Sequence, residues 1–250
     1  MIYRCNRKYA NIMKESDSMK KYLYETHCHT FPASACGSWS PEEVADFYKS
    51  RGYVGVMITN HFFNGNTGID GLLPWEEKVE LFCSDYERAR KRGDEIGIDV
   101  FFGFEYNRGG AEFLIYGLDK EWLLRHSDIM SMGMRDLYAL IRRSGGVMIQ
   151  AHPFRQAGYL ERIAIYPDYC DGAEAINTSN ASDNNENAIW YCKRFGLFMT
   201  CGSDSHWTGR DDLGGVYLPR RIEHISEYVR IIKEKEPIEL YTQKDYGFEL

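Results

Sequence analysis

The sequence predicts an α/β fold whose strand ends carry a metal site, and three observations predict it. Short apolar runs alternate with amphipathic stretches along most of the 250 residues, the pattern of strands and helices in alternation. The run ending in Tyr24-Glu25-Thr26-His27-Cys28-His29-Thr30 carries a His-x-His pair, and residues two apart on a strand project from the same face. Metal-type side chains also stand just past four later apolar runs, at Asn60-His61, Phe104-Glu105, Ala151-His152 and Asp204-Ser205-His206. Loops leaving one end of a set of strands converge on one opening, so these residues can meet there.

In chain order, residues 1–20 are polar and mixed in charge and are expected to form an N-terminal extension, with a short helix over 9–15 as the alternative and Met19 as a candidate natural start. The first strand is expected over 21–26. Ser40-Pro41-Glu42-Glu43 then opens a helix with a cap residue, a first-turn proline and a glutamate three past the cap, and Gly52 stops it. Residues 54–59 read as a buried parallel strand with His61 just beyond. Gly65, Gly68 and Gly71, with Asn64 and Asn66, make 62–73 a loop. Val79, Phe82, Tyr86 and Ala89 set a helix over about 75–92.

A strand over 99–104 places Glu105 at its exit. Asn107-Arg108-Gly109-Gly110 is a turn signal before a strand over 112–117, which predicts a hairpin. Helices are expected over 120–125 and 134–143, the second ending at Gly145-Gly146. The strand over 147–150 delivers His152, and Pro153 ends it. Residues 155–168 read as irregular, with a short helix as the alternative. A strand over 173–176, a helix over 184–195 and a strand over 197–201 lead to Asp204 and His206. A strand over 215–218, a helix over 224–235 and a strand over 238–241 complete a single domain spanning 21–250.

Composition narrows the function classes. A net charge of −7 argues against an extended nucleic-acid surface, which needs a basic face, but not against a small phosphorylated ligand. Seven cysteines, Cys5, Cys28, Cys36, Cys83, Cys170, Cys192 and Cys201, show no Cys-x-x-Cys spacing and follow no recognisable leader, which is expected of a reducing cytoplasm. No apolar run approaches the roughly 18 residues of a membrane span. Of the seven histidines, His126 and His224 read as helix-end and surface residues. The other five stand at strand ends with Glu105 and Asp204, a nitrogen and carboxylate set that suits zinc, manganese or iron.

His27-Cys28-His29-Thr30, Ile58-Thr59-Asn60-His61, Gly103-Phe104-Glu105, Ala151-His152-Pro153-Phe154 and Ser203-Asp204-Ser205-His206 together resemble the ordered motifs of the polymerase and histidinol phosphatase (PHP) family, from about residue 22 to 218. The resemblance implies an irregular barrel of about seven βα units holding two or three divalent ions at the C-terminal ends of the strands. It also implies that His27, His29, Glu105 and Asp204 surround a first ion, that Glu105 bridges to a second bound by His152, and that His61 and His206 hold a third or complete the cluster. Two motifs depart from the family: Asn60 and Cys36 stand where it often has aspartate. Cys36 is either a substitute thiolate ligand or a buried structural thiol. Glu112 stands where many relatives have a ligating histidine, and it is either a ligand or a hairpin surface carboxylate.

The activity implied is hydrolysis of a phosphomonoester or small phosphodiester. Coordination lowers the pKa of water towards about 7, so a metal-bound hydroxide could attack phosphorus in line with the leaving oxygen. Arg155 and Arg108, three residues past His152 and Glu105, are candidate phosphate forks, and Asp204 with His206 are candidate proton carriers. Glu25 is placed to buttress the ligands from behind. Phe31, Trp39, Phe62, Phe63, Tyr106, Phe154 and Trp207 lie near the openings and could stack on a ring, or belong to the core. Two alternatives stay open: an amidohydrolase-like enzyme acting on C–N or C–O bonds, which usually carries a lysine at a middle strand end, and a non-catalytic metal-containing domain serving a partner.

Overall fold

The computed structural model describes residues 21–158 and 160–247. The expected helix over 9–15 and the role of Met19 lie outside the described residues. Strand β1 (Tyr22–Cys28) leads through α1 (Pro41–Ser50), β2 (Gly55–Ile58) and α2 (Trp75–Ile96) to β3 (Asp99–Arg108) and β4 (Ala111–Tyr116). Helices α3 (Lys120–Leu124) and α4 (Met134–Arg143) precede β5 (Val147–Ala151), and β6 (Gly172–Asn177), α5 (Ser182–Phe195) and β7 (Phe198–Gly202) follow. The chain continues through β8 (Gly214–Leu218), α6 (Ile225–Glu234) and β9 (Glu239–Thr242).

Local chemistry accounts for several of these boundaries. Ser40 Oγ accepts from Glu43 N while Glu43 accepts from Ser40 N at 2.7 Å, closing the box that starts α1. Helix α2 outruns its expected end and stops where Gly97 takes a left-handed conformation, which costs glycine little. Strand β3 also runs on, to Arg108, so Glu105 lies within it rather than at its exit. The reason is the predicted hairpin: β4 pairs antiparallel with β3 as far as Arg108↔Ala111 and prolongs the ladder. In the stretch between β5 and β6 the short helix shrinks to one turn of 3₁₀ helix at Pro167–Tyr169.

Among the described residues nine strands form one sheet in the order β7-β6-β5-β4-β3-β2-β1-β8-β9. β1, β2 and β3 are mutually parallel, as are β5, β6 and β7, while β4 runs antiparallel between the two sets. The sheet curls until β7 reaches β1. Thr26 Oγ1 donates to Cys201 O at 2.9 Å, Asp204 N to His27 O at 2.8 Å, and His29 N to Ser205 O at 3.0 Å. The result is a nearly closed irregular α/β barrel, with β8 and β9 extending the sheet past β1.

Helices cover the barrel with apolar faces. Phe62, Phe82, Phe102, Phe104 and Tyr106 form an aromatic layer between the sheet and α2, and each fully buried aromatic of this kind contributes about 1.5–3 kcal/mol. Trp39, Phe62 and Tyr106 are therefore core, whereas Phe31 and Trp207 are exposed. No described helix is long and apolar enough to cross a membrane.

Candidate metal centre

Strand alternation delivers the ligand types to one end of the barrel. Glu105 points opposite to Phe104 and Tyr106, which face the aromatic layer, and its carboxylate is buried at the centre of the group. Its Oε1 lies 3.0 Å from His152 Nε2 and 3.3 Å from His27 Nε2; its Oε2 lies 2.7 Å from His61 Nδ1 and 3.5 Å from His29 Nε2. Asp204 Oδ1 lies 3.2 Å from His29 Nε2 and 3.5 Å from His27 Nε2. His206 stacks on His29 with ring centroids 4.4 Å apart. All seven residues expected as ligands thus meet in one place.

Four groups of three could each hold an ion, their ligand atoms lying within 4.8 Å of one another: His27, His29 and Asp204; His27, Glu105 and His152; His61, Glu105 and Glu112; and His29, His61 and His206. Glu112 is settled as an inward residue. The β3–β4 pairing sets it beside the cluster, its Oε2 3.4 Å from His152 Nε2 and its Oε1 3.7 Å from His61 Nδ1.

The donor set fits a cation. Glu105 Oε2 and His61 Nδ1 are buried and lack a hydrogen bond of acceptable geometry, although each points into the cluster. Burial pushes the Glu105 and Asp204 carboxyls up, but His61 and His27 around the first, and His27 and Arg155 around the second, hold both well below the usual carboxylate range. Burial and the neighbouring His61 and His206 hold His29 well below the usual imidazole value, so it presents a lone pair. His27 goes the other way: burial lowers it, yet Glu174, Asp204 and Glu105 drive it well up. Those anions call for positive charge at His27 Nε2, and a cation there would supply it in place of the proton.

Supporting residues fix the ring orientations. Glu174 Oε1 lies 3.0 Å from His27 Nδ1, leaving Nε2 for the centre, while Glu174 Oε2 accepts from His152 N at 2.8 Å and from Asn177 Nδ2 at 2.8 Å. Ser34 Oγ takes His29 Nδ1 at 3.1 Å. Glu25, buried between β1 and β7, accepts from His27 N and Ser203 N at 2.9 Å each; burial pushes it up to about 7 against the pull of those bonds. It stands behind the cluster, where the sequence reading put it.

Asn60 faces away from the centre. Its Oδ1 accepts from Thr30 N at 2.6 Å and Ser34 Oγ at 2.9 Å, and Asp85 of α2 accepts from Thr30 Oγ1 at 2.8 Å and Ala33 N at 3.0 Å. This buried network holds the loop after β1. Sequence reading missed Glu174, Ser34 and Asp85; the one available signal was Glu174, a lone acid within the apolar run Gly172–Ile176.

The rim residues separate. Arg155 reaches the cluster, its Nη2 2.6 Å from Asp204 Oδ2 and 3.2 Å from Asn177 Oδ1, with Nε donating to Asn180 Oδ1 at 2.9 Å. Arg108 stands apart at the tip of the hairpin, because three residues along a strand send it to the face opposite Glu105. Cys36 is exposed rather than a buried structural thiol. His126 closes α3, its Nδ1 2.6 Å from Trp122 O, and His224 is exposed at the start of α6.

His152 and Asp204 have positive φ, 29° and 53°. Such conformations cost on the order of 1–3 kcal/mol each and persist where surroundings fix them. Arg210 does this for Asp204 by donating to Ser203 O at 2.8 Å from a buried position.

No family model matches the chain. A comparison with curated proteins finds no match either. Solved structures do match in fold. A two-domain protein from Bacteroides vulgatus, said to contain a predicted PHP-like metal-dependent phosphoesterase, superposes at a TM-score of 0.64 and 16% identity over 90% of this chain and 66% of its own. A candidate metal-dependent phosphoesterase from Bifidobacterium adolescentis gives 0.54 at 16% identity, covering 75% of this chain and 89% of its own. An amidohydrolase from Chromobacterium violaceum, solved with sulfate and no metal, gives 0.53 at 14% identity, covering 90% and 99%. The chain therefore shares the barrel fold of these proteins.

Proposed function

We propose that this chain is a metal-dependent phosphoesterase of the PHP type that cleaves a phosphomonoester or a small phosphodiester. The observation that carries the reading is the convergence of His27, His29, His61, Glu105, His152, Asp204 and His206 on one buried point beside an arginine. In this reading His27, His29 and Asp204 would hold one ion, Glu105 and His152 with Glu112 a second, and His61 with His206 a third. Zinc, manganese or iron(II) in these positions would supply Lewis acidity and a more acidic water.

The protein's own groups do the rest. Arg155 swings its guanidinium from Asp204 to the phosphoryl oxygens, and Asn177 and Asn180 keep it at the rim. Asp204, whose carboxyl His27 and Arg155 hold well below the usual carboxylate range, would serve as a ligand and not as an acid. His206 already uses Nδ1 on Asp204 O at 2.9 Å and so has one nitrogen left, for ligation or for proton transfer. Arg108 takes no part.

The test is a panel of phosphomonoesters and phosphodiesters beside amides and lactones, run on protein loaded with manganese, iron(II) or zinc. Phosphoester turnover is expected, with His29→Ala and Glu105→Ala abolishing both turnover and bound metal and His224→Ala leaving both intact. Turnover of amides or lactones alone would move the chain to the amidohydrolase reading. Full activity in either of the first two variants would contradict the assignment of the site.

A further inference from the structure

Which ring nitrogen of His29 carries the hydrogen follows from a chain of bonds that begins outside the metal centre. His29, Thr30, Ser34, Asn60 and Asp85 are all buried, so their donors and acceptors find partners within the protein. Thr30 N is a donor and nothing else. It lies 2.6 Å from one end of the Asn60 amide, and that end must therefore be the oxygen, Oδ1. Asn60 Nδ2 then donates to Thr30 Oγ1 at 2.7 Å, and Thr30 Oγ1 gives its own hydrogen to Asp85 Oδ2 of α2 at 2.8 Å. Ala33 N donates to the same Asp85 oxygen at 3.0 Å. Asn60 Oδ1 can only accept, so the hydrogen of the Ser34 hydroxyl, 2.9 Å away, is spent on it. Ser34 Oγ keeps two lone pairs: one accepts from His61 N at 3.0 Å, and the other meets His29 Nδ1 at 3.1 Å.

We propose that Asn60, acting through Ser34, is a positioning residue that keeps the hydrogen of the neutral His29 ring on Nδ1 and so leaves the Nε2 lone pair facing the centre. The inference rests on reading the cluster as a metal centre. The surroundings of Nε2 pull the other way. Asp204 Oδ1 at 3.2 Å and Glu105 Oε2 at 3.5 Å are acceptors that draw the hydrogen to Nε2, where it would stand in the place of a cation. A Ser34 hydroxyl that donated to Nδ1 would have the same effect. Its direction therefore decides the tautomer: Asn60 sets that direction, and Thr30 with Asp85 sets Asn60. An amide suits position 60 because one end has to accept from Thr30 N and Ser34 while the other donates to Thr30 Oγ1. By also accepting from His61 N, the same hydroxyl ties the backbone of a second expected ligand to the chain.

Nuclear magnetic resonance of the full chain, stripped of metal and carrying nitrogen-labelled histidine, tests this without any substrate, because protonated and bare ring nitrogens resonate far apart. The His29 signals, assigned by their loss in His29→Gln, are expected to show Nδ1 protonated in wild type. Ser34→Ala, its fold checked by circular dichroism, is expected to move the hydrogen to Nε2 and to weaken zinc binding about tenfold or more in competition with a chelator. Asn60→Leu should move it too, although Ser34 stays in place, since the hydroxyl then has His29 Nδ1 to donate to. Asn60→Asp should keep the wild-type tautomer, because its carboxylate still accepts from Ser34; if Asn60→Leu does not fold, the contrast between Ser34→Ala and Asn60→Asp decides. A bare Nδ1 in wild type, a hydrogen that stays on Nδ1 in Ser34→Ala, or unchanged zinc affinity in that variant would overturn the assignment. A wild type with Nδ1 protonated but no phosphoester turnover would sink the function proposed above and leave this inference standing. One that takes up no metal at all would sink the metal centre itself.

Discussion

Glu174 makes His27 a directed donor. With Oε1 on His27 Nδ1 and Oε2 on the His152 and Asn177 N–H groups, every lone pair of this fully buried carboxylate that faces a donor is in use. Glu174→Gln keeps the volume but removes the charge, and turns an NH2 towards one of those donors. We expect metal affinity to fall about 10–100-fold, read by competition with a chelator, while the fold is retained. Unchanged affinity would mean that the carboxylate only packs. The ligands themselves were legible because imidazole and carboxylate types at strand ends are few and ordered. Their supports were not, since Ser34, Asp85 and Glu174 act across 5, 55 and 147 residues from their partners His29, Thr30 and His27. Cys36 and Glu112 were legible as positions and ambiguous as roles; only the hairpin register and the loop path decide which way each points.

At the scale of elements, the strand ends do the positioning, and β7 does so through a missing side chain. A Cβ on Gly202 would stand 2.6 Å from His27 Cβ and 2.7 Å from Glu174 Oε1, so β7 can lie against β1 only with glycine there. Gly202→Ala should cost about 1–3 kcal/mol in overpacking and displace His27 as well, seen as a lower melting temperature together with reduced bound metal. Gly71, with open space around it, is the control and should tolerate alanine with little change in either. Cooperative melting at the wild-type temperature with full metal content in Gly202→Ala would show that the closure between β7 and β1 is softer than its contacts indicate. Most elements were readable to within a few residues from period and capping signals. β3 was read short because its last residues are held by a partner strand rather than by their own pattern, and local periodicity carries no information about a partner.

For the whole molecule, barrel closure is the part that sequence pattern least determines. The edge of β1 that does not face β2 receives both β8 and the segment after β7, contacts between opposite ends of the described chain, and only the nearly closed sheet brings the ligand-bearing ends within reach of one another. Packing of helices and loops onto the barrel also buries thiols, and this gives the fold an alkaline limit. Burial pushes Cys83, Cys170 and Cys192 up to about 12 each. The unfolded chain sheds the same protons above the ordinary thiol value near 9, so the folded state binds more protons than the unfolded one between about pH 9 and 12. Stability is therefore undiminished by these groups below about pH 9 and falls as pH rises through that window. Each thiol takes away on the order of 1.4 kcal/mol by pH 10, a loss of about 2–4 °C in melting temperature for each kcal/mol in a chain of this size. Melting curves from about pH 7 to 10.5 on metal-free protein should show the decline beginning near pH 9. Cys192→Ala should melt lower at neutral pH through lost packing yet decline less steeply above about pH 9. A slope identical to wild type would place the alkaline limit on groups other than the buried thiols.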